Sequence, residues 1–132
     1  MPESDAYLLD THTFLWLATD DQRLSQTARQ RVLDPTTELF LSVGSVWELA
    51  IKKSLGRVEL TVPLSWLVDE QLKHLRANLL NIRREHALLV ESLPFHHRDP
   101  FDRLLIAQAI AEDLSLLSAD HQLDPYTVTR VW

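Results

Sequence analysis

The chain has 132 residues, 45% hydrophobic and 24% charged, with a net charge of −6 and no cysteine. That balance suits one folded domain, residues 1–132, with its own core. It excludes disulfides and thiolate metal sites, and it argues against a broad basic face for gripping nucleic acid. No uninterrupted apolar run approaches the roughly 20 residues of a membrane helix. The start, "MPESDAYLLD", is acidic where a secretory leader is basic, so a cytoplasmic domain is expected.

Residues 6–9, "AYLL", form a short apolar run ending in Asp10, the pattern of a fully buried strand. Asp10 can also cap a helix through "THTFLWLA". Residues 39–43, "LFLSV", read as a second strand. Ser45 then precedes "VWELAIKKSL", and Gly56 stands where a helix C-terminal cap belongs. In "PLSWLVDEQLKHL" the apolar residues fall at 64, 67, 68, 72 and 75, a one-faced helical spacing. "LLNI" at 79–82 is a third strand, and "EHALLVESL" is a helix ending before Pro94. Asp99 caps a helix opening with Pro100, where the missing N–H costs nothing. "LSLLS" at 114–118 and the closing "YTVTRVW" are strands. Strands alternating with amphipathic helices predict an α/β domain with a mostly parallel sheet.

In such sheets ligands bind beyond the carboxyl ends of the strands. Four acids fall at that edge: Asp10 after the first strand, Glu48 in the first turn after the second, Asp102 in the first turn after Pro100, and Asp120 after "LSLLS". Each has an ordinary structural role open to it. Ser45 and Glu48 match a capping box, Asp102 favours the positive end of a helix dipole, Asp10 is a cap, and Asp120 is a turn residue. Four carboxylates in one cleft nonetheless repel, by roughly 4 kcal/mol for two unit charges at 4 Å and an effective dielectric of 20. A cation relieves that. Oxygen ligands without cysteine suit Mg²⁺ or Mn²⁺, and such ions activate water for in-line attack on phosphorus. The implied chemistry is phosphodiester hydrolysis.

"YLLDTHTFLW", "SVGSVWELAIKKSLGRV", "HHRDPFDRLLIAQA" and "LLSADHQLDPYTVTRVW" together resemble a PIN domain, in particular the VapC-type toxins of toxin–antitoxin pairs. The resemblance runs from Leu8 to the C-terminus with the segments in family order. It implies a three-layer fold with helices flanking the sheet. It also implies a Mg²⁺-dependent endoribonuclease acting on RNA, held inactive by a small antitoxin and often a homodimer. By the same resemblance Asp10, Glu48, Asp102 and Asp120 are the catalytic, metal-binding acids, and Thr11, Ser45 and Ser118 match hydroxyl positions lining such sites. Many family members have one acid where this chain has both Asp99 and Asp102, so Asp99 stays open between a helix cap alone and a further metal ligand.

Further residues have more than one reading. His12, His96 and His97 invite a general-base role, which a metal mechanism does not require. Arg103 and Lys52 are placed to meet RNA phosphate, although Lys52 also suits an i,i+4 pair with Glu48. Trp16, Trp47, Trp66 and Trp132 could stack bases or serve as core. Trp16 and Trp66, on early helices, could line a groove for a partner helix. A PIN nuclease of RNA processing and a non-catalytic protein-binding module stay open as alternatives. A phospho-accepting receiver domain does not fit, because Thr11 and Ser118-Ala119-Asp120 replace its second acid and its lysine.

Overall fold

The computed structural model describes residues 5–132. Residues 1–4, part of the acidic start read above as no leader, lie outside the described residues. In chain order the elements are β1 (Ala6–Leu9), α1 (Thr11–Thr19), α2 (Gln26–Leu33), β2 (Glu38–Ser42), α3 (Val43–Ser54) and α4 (Leu64–Leu75). β3 (Asn78–Leu80), α5 (Arg84–Ser92), α6 (Pro100–Glu112), β4 (Ser115–Leu117) and β5 (Arg130–Val131) follow. The sheet has the order β3-β2-β1-β4-β5, and every pairing is parallel. The expected α/β class and three-layer plan are what the chain adopts.

Both faces of the sheet are covered, which is why its strands read as unbroken apolar runs. Tyr7, Leu9, Leu39, Leu41 and Leu117 pack on one side with Phe14, Ala28, Leu49 and Val68 from the first four helices. Leu8 and Leu116 point to the other side, against Leu105, Ile106 and Ala109 of α6. Successive residues thus alternate between two cores. Among the described residues no helix is long and apolar enough to cross a membrane.

Two local expectations change. Helix α3 begins at Val43, with Ser42 as its cap accepting the Gly44 N–H at 2.9 Å, so Ser45 lies inside the helix. Two serines three residues apart can each cap. The earlier one does, because as the last residue of β2 it is already extended. The Ser45–Glu48 capping box is therefore absent, and Glu48 moves to the second turn. Helix α2 was not anticipated, because "QTARQRVL" is mostly polar and only Ala28 is buried. Gly44 sets how closely α3 meets α6: a Cβ there would lie 2.9 Å from Leu104 Cδ2. The absent side chain lets the helix carrying Glu48 settle against the helix carrying Asp102.

Candidate functional site

Chain direction across the sheet reverses at β1: β2 and β3 lie to one side, β4 and β5 to the other. A crevice at such a switch point is the preferred ligand site of a parallel sheet. Asp10 closes β1 there, 6% exposed. As the cap of α1 its Oδ1 accepts the Thr13 N–H at 2.7 Å, and its Oδ2 accepts the Ser118 hydroxyl at 2.5 Å. Ser118 Oγ in turn accepts the Asp120 N–H at 3.1 Å. The buried serine thus ties the acids of β1 and β4 together.

Glu48, 5% exposed, is held from two sides. Thr11 donates to Oε1 at 2.7 Å and lies 3.0 Å from Ser45 Oγ, while Lys52 Nζ sits 2.6 Å from Oε2. The three hydroxyl residues singled out in the sequence are all buried at the cluster, orienting or adjoining its acids. Lys52 gives its charge to Glu48 across one helical turn, the ordinary i,i+4 reading.

Asp102 and Asp120 meet through a residue whose role the sequence did not reveal. His97 Nδ1 accepts the Asp99 N–H at 3.2 Å, so the ring proton resides on Nε2. That N–H faces Asp102 Oδ2 at 3.1 Å and Asp120 Oδ2 at 3.2 Å. The Tyr126 hydroxyl accepts the N–H groups of both His96 and His97, at 3.0 and 2.9 Å, and fixes the segment that aims the ring. Asp99 is the cap expected of it, its Oδ1 accepting from the N–H groups of Phe101 and Asp102.

The Asp102 carboxyl is pushed up from its ordinary 3.8 to about 7, first by burial and then by the charge of Asp99. His97 opposes the shift, and Asp10 and Glu48 add to it. Two acids from other elements therefore lie near enough to oppose ionisation of Asp102. The structure brings the four acids of the sequence reading to one place, with Asp120 joined through His97.

Arg103 does not stand at this cleft's service. Its guanidinium is buried and bonds the carbonyls of Pro94, Val90 and Leu93 and the Tyr126 hydroxyl, with its central carbon over the Phe95 ring, 4.5 Å from the ring centre. The loop after α5 folds back over it, so the expected phosphate contact gives way to a structural one.

The donor set fits a divalent cation. Oxygen ligands dominate, Lys52 neutralises only Glu48, and Asp102 resists ionising without a further positive charge. One ligand atom each from His97, Asp102 and Asp120 lies within 4.8 Å of the others. While the Asp99 N–H occupies Nδ1, however, His97 presents a proton to this group and not a lone pair.

A family profile described as PIN domain matches residues 7–127. The chain is 35% identical over 130 residues to Ribonuclease VapC22 of Mycobacterium tuberculosis, covering 95% of this chain and 97% of that protein. Among solved structures, VapBC2 from Rickettsia felis bound to a DNA fragment from its promoter has the same fold. Its TM-score is 0.72 at 13% identity, covering 96% of this chain and 97% of that one. A toxin–antitoxin complex from Klebsiella pneumoniae gives 0.63 at 16% identity, with 96% of each chain covered.

Proposed function

The chain belongs to the PIN-domain family, and from that premise we propose that it is the endoribonuclease toxin of a toxin–antitoxin pair. It hydrolyses RNA phosphodiester bonds in the cytoplasm with Mg²⁺, or Mn²⁺, held by Asp10, Glu48, Asp102 and Asp120. The observation that carries the reading is the Asp102 carboxyl, which burial, Asp99, Asp10 and Glu48 together keep from ionising in the ordinary range. A divalent ion held by these four acids would supply countercharge and the Lewis acidity that in-line attack of water on a phosphodiester needs.

The protein's own part is to hold the acids in place. Ser118 and the Thr13 N–H fix Asp10, while Thr11 and Lys52 fix Glu48. The Gln122 N–H holds Asp120 Oδ1 at 2.9 Å, which leaves Oδ2 toward the cleft. His97 stands between Asp102 and Asp120, its Nε2 3.1 and 3.2 Å from their Oδ2 atoms.

The named relative is a ribonuclease, which supports RNA as substrate. The two structural neighbours come from toxin–antitoxin assemblies, which supports a small antitoxin as partner. Apolar clefts beside α4 suit an amphipathic helix from it. One is lined by Leu17, Val32, Leu33 and Leu75, the other by Ala18, Leu60, Trp66 and Leu67. Leu33 is 79% and Trp66 53% exposed, a large apolar surface for a free domain. A basic antitoxin side chain reaching the acids would occlude them. The resemblance extends the proposal to a homodimer, which sedimentation equilibrium tests.

Incubation with single-stranded and folded RNA, with Mg²⁺ and with EDTA, tests the reaction. Cleavage is expected only with the ion, and full activity in EDTA would overturn the mechanism.

A further inference from the structure

A cleft of about 300 Å³ opens beside the carboxylates, with Asp10 and Asp120 in its wall and His12, Trp16, Arg23 and Ala119 lining the rest. Its volume lies at the low end for ligand sites, suited to a single planar group. The lining is aromatic and cationic as well as acidic. The half-buried Trp16 packs on the core and is braced edge-on by Trp132, ring centres 5.7 Å apart. The exposed ring of His12 lies 5.9 Å from it, tilted by 38°. The Arg23 guanidinium lies over the face of the Trp16 ring, 4.9 Å from its centre.

Arg23 is itself held. Its Nε and Nη2 bond the Asp21 carboxylate at 3.0 and 2.7 Å, and its Nη1 has no partner among the described residues. Donors remain for an anion or a base carbonyl. Nothing in the proposed acid mechanism uses His12, Trp16 or Arg23, yet they share a cleft with two of the acids.

We propose that this cleft receives the base of an unpaired nucleotide beside the bond that is cut. The base stacks on the platform that Trp16, His12 and the overlying Arg23 guanidinium form together, and Arg23 Nη1 meets the neighbouring phosphate. The inference rests on the nuclease reading above. A phosphate engaged at Asp10 and Asp120 leaves its attached base within reach of this wall, because both acids belong to it. Aromatic stacking tolerates any base but requires one that is not already paired, so the subsite selects single strands. A partner helix is the poorer occupant here: Asp10, Asp120 and Arg23 put charges of both signs in the wall, whereas the cleft under Leu17, Val32, Leu33 and Leu75 offers a broader aliphatic surface.

The test is binding of a fluorescent 2′-O-methyl oligonucleotide, which the enzyme cannot cut, in Mg²⁺, single-stranded and annealed to its complement. Trp16→Ala is expected to weaken single-strand binding about tenfold or more, and Trp16→Phe to restore most of it. His12→Ala and Arg23→Gln, on exposed side chains whose loss the fold tolerates, should each weaken it about threefold or more, and Arg23→Gln should flatten the salt dependence. Duplex binding should be weaker in the parent and insensitive to all four changes. The Mg²⁺-induced rise in melting temperature should persist in every variant, because the acids are untouched. Single-strand affinity within twofold of the parent in both Trp16→Ala and His12→Ala overturns the proposal. So does retained RNA affinity with lost antitoxin affinity, which would make the cleft a protein-docking surface. A parent that binds no oligonucleotide at all overturns the nuclease reading and this inference with it, whereas losses confined to the variants belong to the subsite.

Discussion

Replacing Asp102 with asparagine separates a clustered ligand from a helix-supporting acid. The folded carboxyl titrates at about 7 against an ordinary 3.8, a difference of about 3 units. The unfolded chain therefore releases its proton first as pH rises, and stability falls between about pH 4 and pH 7. At about 1.4 kcal/mol per unit, the loss above pH 7 is about 4 kcal/mol before water and local relaxation reduce it, and about 2 kcal/mol after. Asparagine removes that cost and can still accept from His97, while it forfeits up to about 1 kcal/mol of helix-dipole stabilisation. In EDTA at pH 8 the mutant should melt a few degrees above the parent, and near pH 4 the two should coincide. Added Mg²⁺ should stabilise the parent by mass action and the mutant far less, and RNA cleavage should fall by orders of magnitude. Thermal melts from pH 4 to 8, with EDTA and with Mg²⁺, measure every arm. An EDTA-treated mutant melting well below the parent at pH 8, with its Mg²⁺ response intact, would refute the reasoning.

Asp99→Asn should leave RNA cleavage within a few-fold of the parent, since asparagine caps a helix about as well as aspartate; a loss as deep as that of Asp102→Asn would make Asp99 a ligand. His97→Ala should leave Mg²⁺ affinity unweakened in calorimetric titration, because the ring presents a proton to Asp102 and Asp120. A tenfold loss would show that the ring flips its tautomer and coordinates. Trp66→Ala should weaken antitoxin affinity about tenfold, as expected for a large exposed aromatic at the centre of an interface, and leave RNA cleavage by the free protein unchanged; unaltered affinity in surface plasmon resonance would move the interface elsewhere.

What the sequence disclosed follows from the range of the forces involved. The strands were legible because burial on two faces demands continuous apolar residues, as at 6–9 and 39–41, whatever surrounds them. The cap at Asp99 was legible because aspartate followed by proline is a local signal. The start of α3 was not, since Ser42 and Ser45 carry the same local preference and the end of β2 decides between them. The lengths of β3 and β5, shorter than their apolar runs, depend on pairing partners far along the chain. His97 escaped because its orientation depends on Tyr126, a contact 29 residues away in sequence. Arg103 was misread for the same reason: its partners are carbonyls of a segment whose return over α6 no local pattern announces. The acids were visible one by one, but their convergence was inferred from strand order and family resemblance.

The distribution of donors around those acids bears on how a chain of net charge −6 can act on a polyanion. Asp10 has a hydroxyl and an N–H, Glu48 a hydroxyl and an ammonium, and Asp120 an N–H and a share of His97. Among the described residues, the Asp102 carboxylate has only the other share of that one histidine proton. Of these four acids Asp102, at the first turn of α6, is thus the least compensated, and the helix dipole offers it a small offset. Spreading the same deficit over four equally screened acids would weaken each one's attraction for a cation. Under the proposed function, concentrating it destabilises the metal-free fold at one residue and would make that residue a strong point of attraction for a cation. An ion so held would lower the repulsion an RNA phosphate meets, which makes the negative sum of charges compatible with the RNA substrate proposed above. The Asp102→Asn pair of melts reads both sides of that balance, the stability regained without metal and the metal response lost.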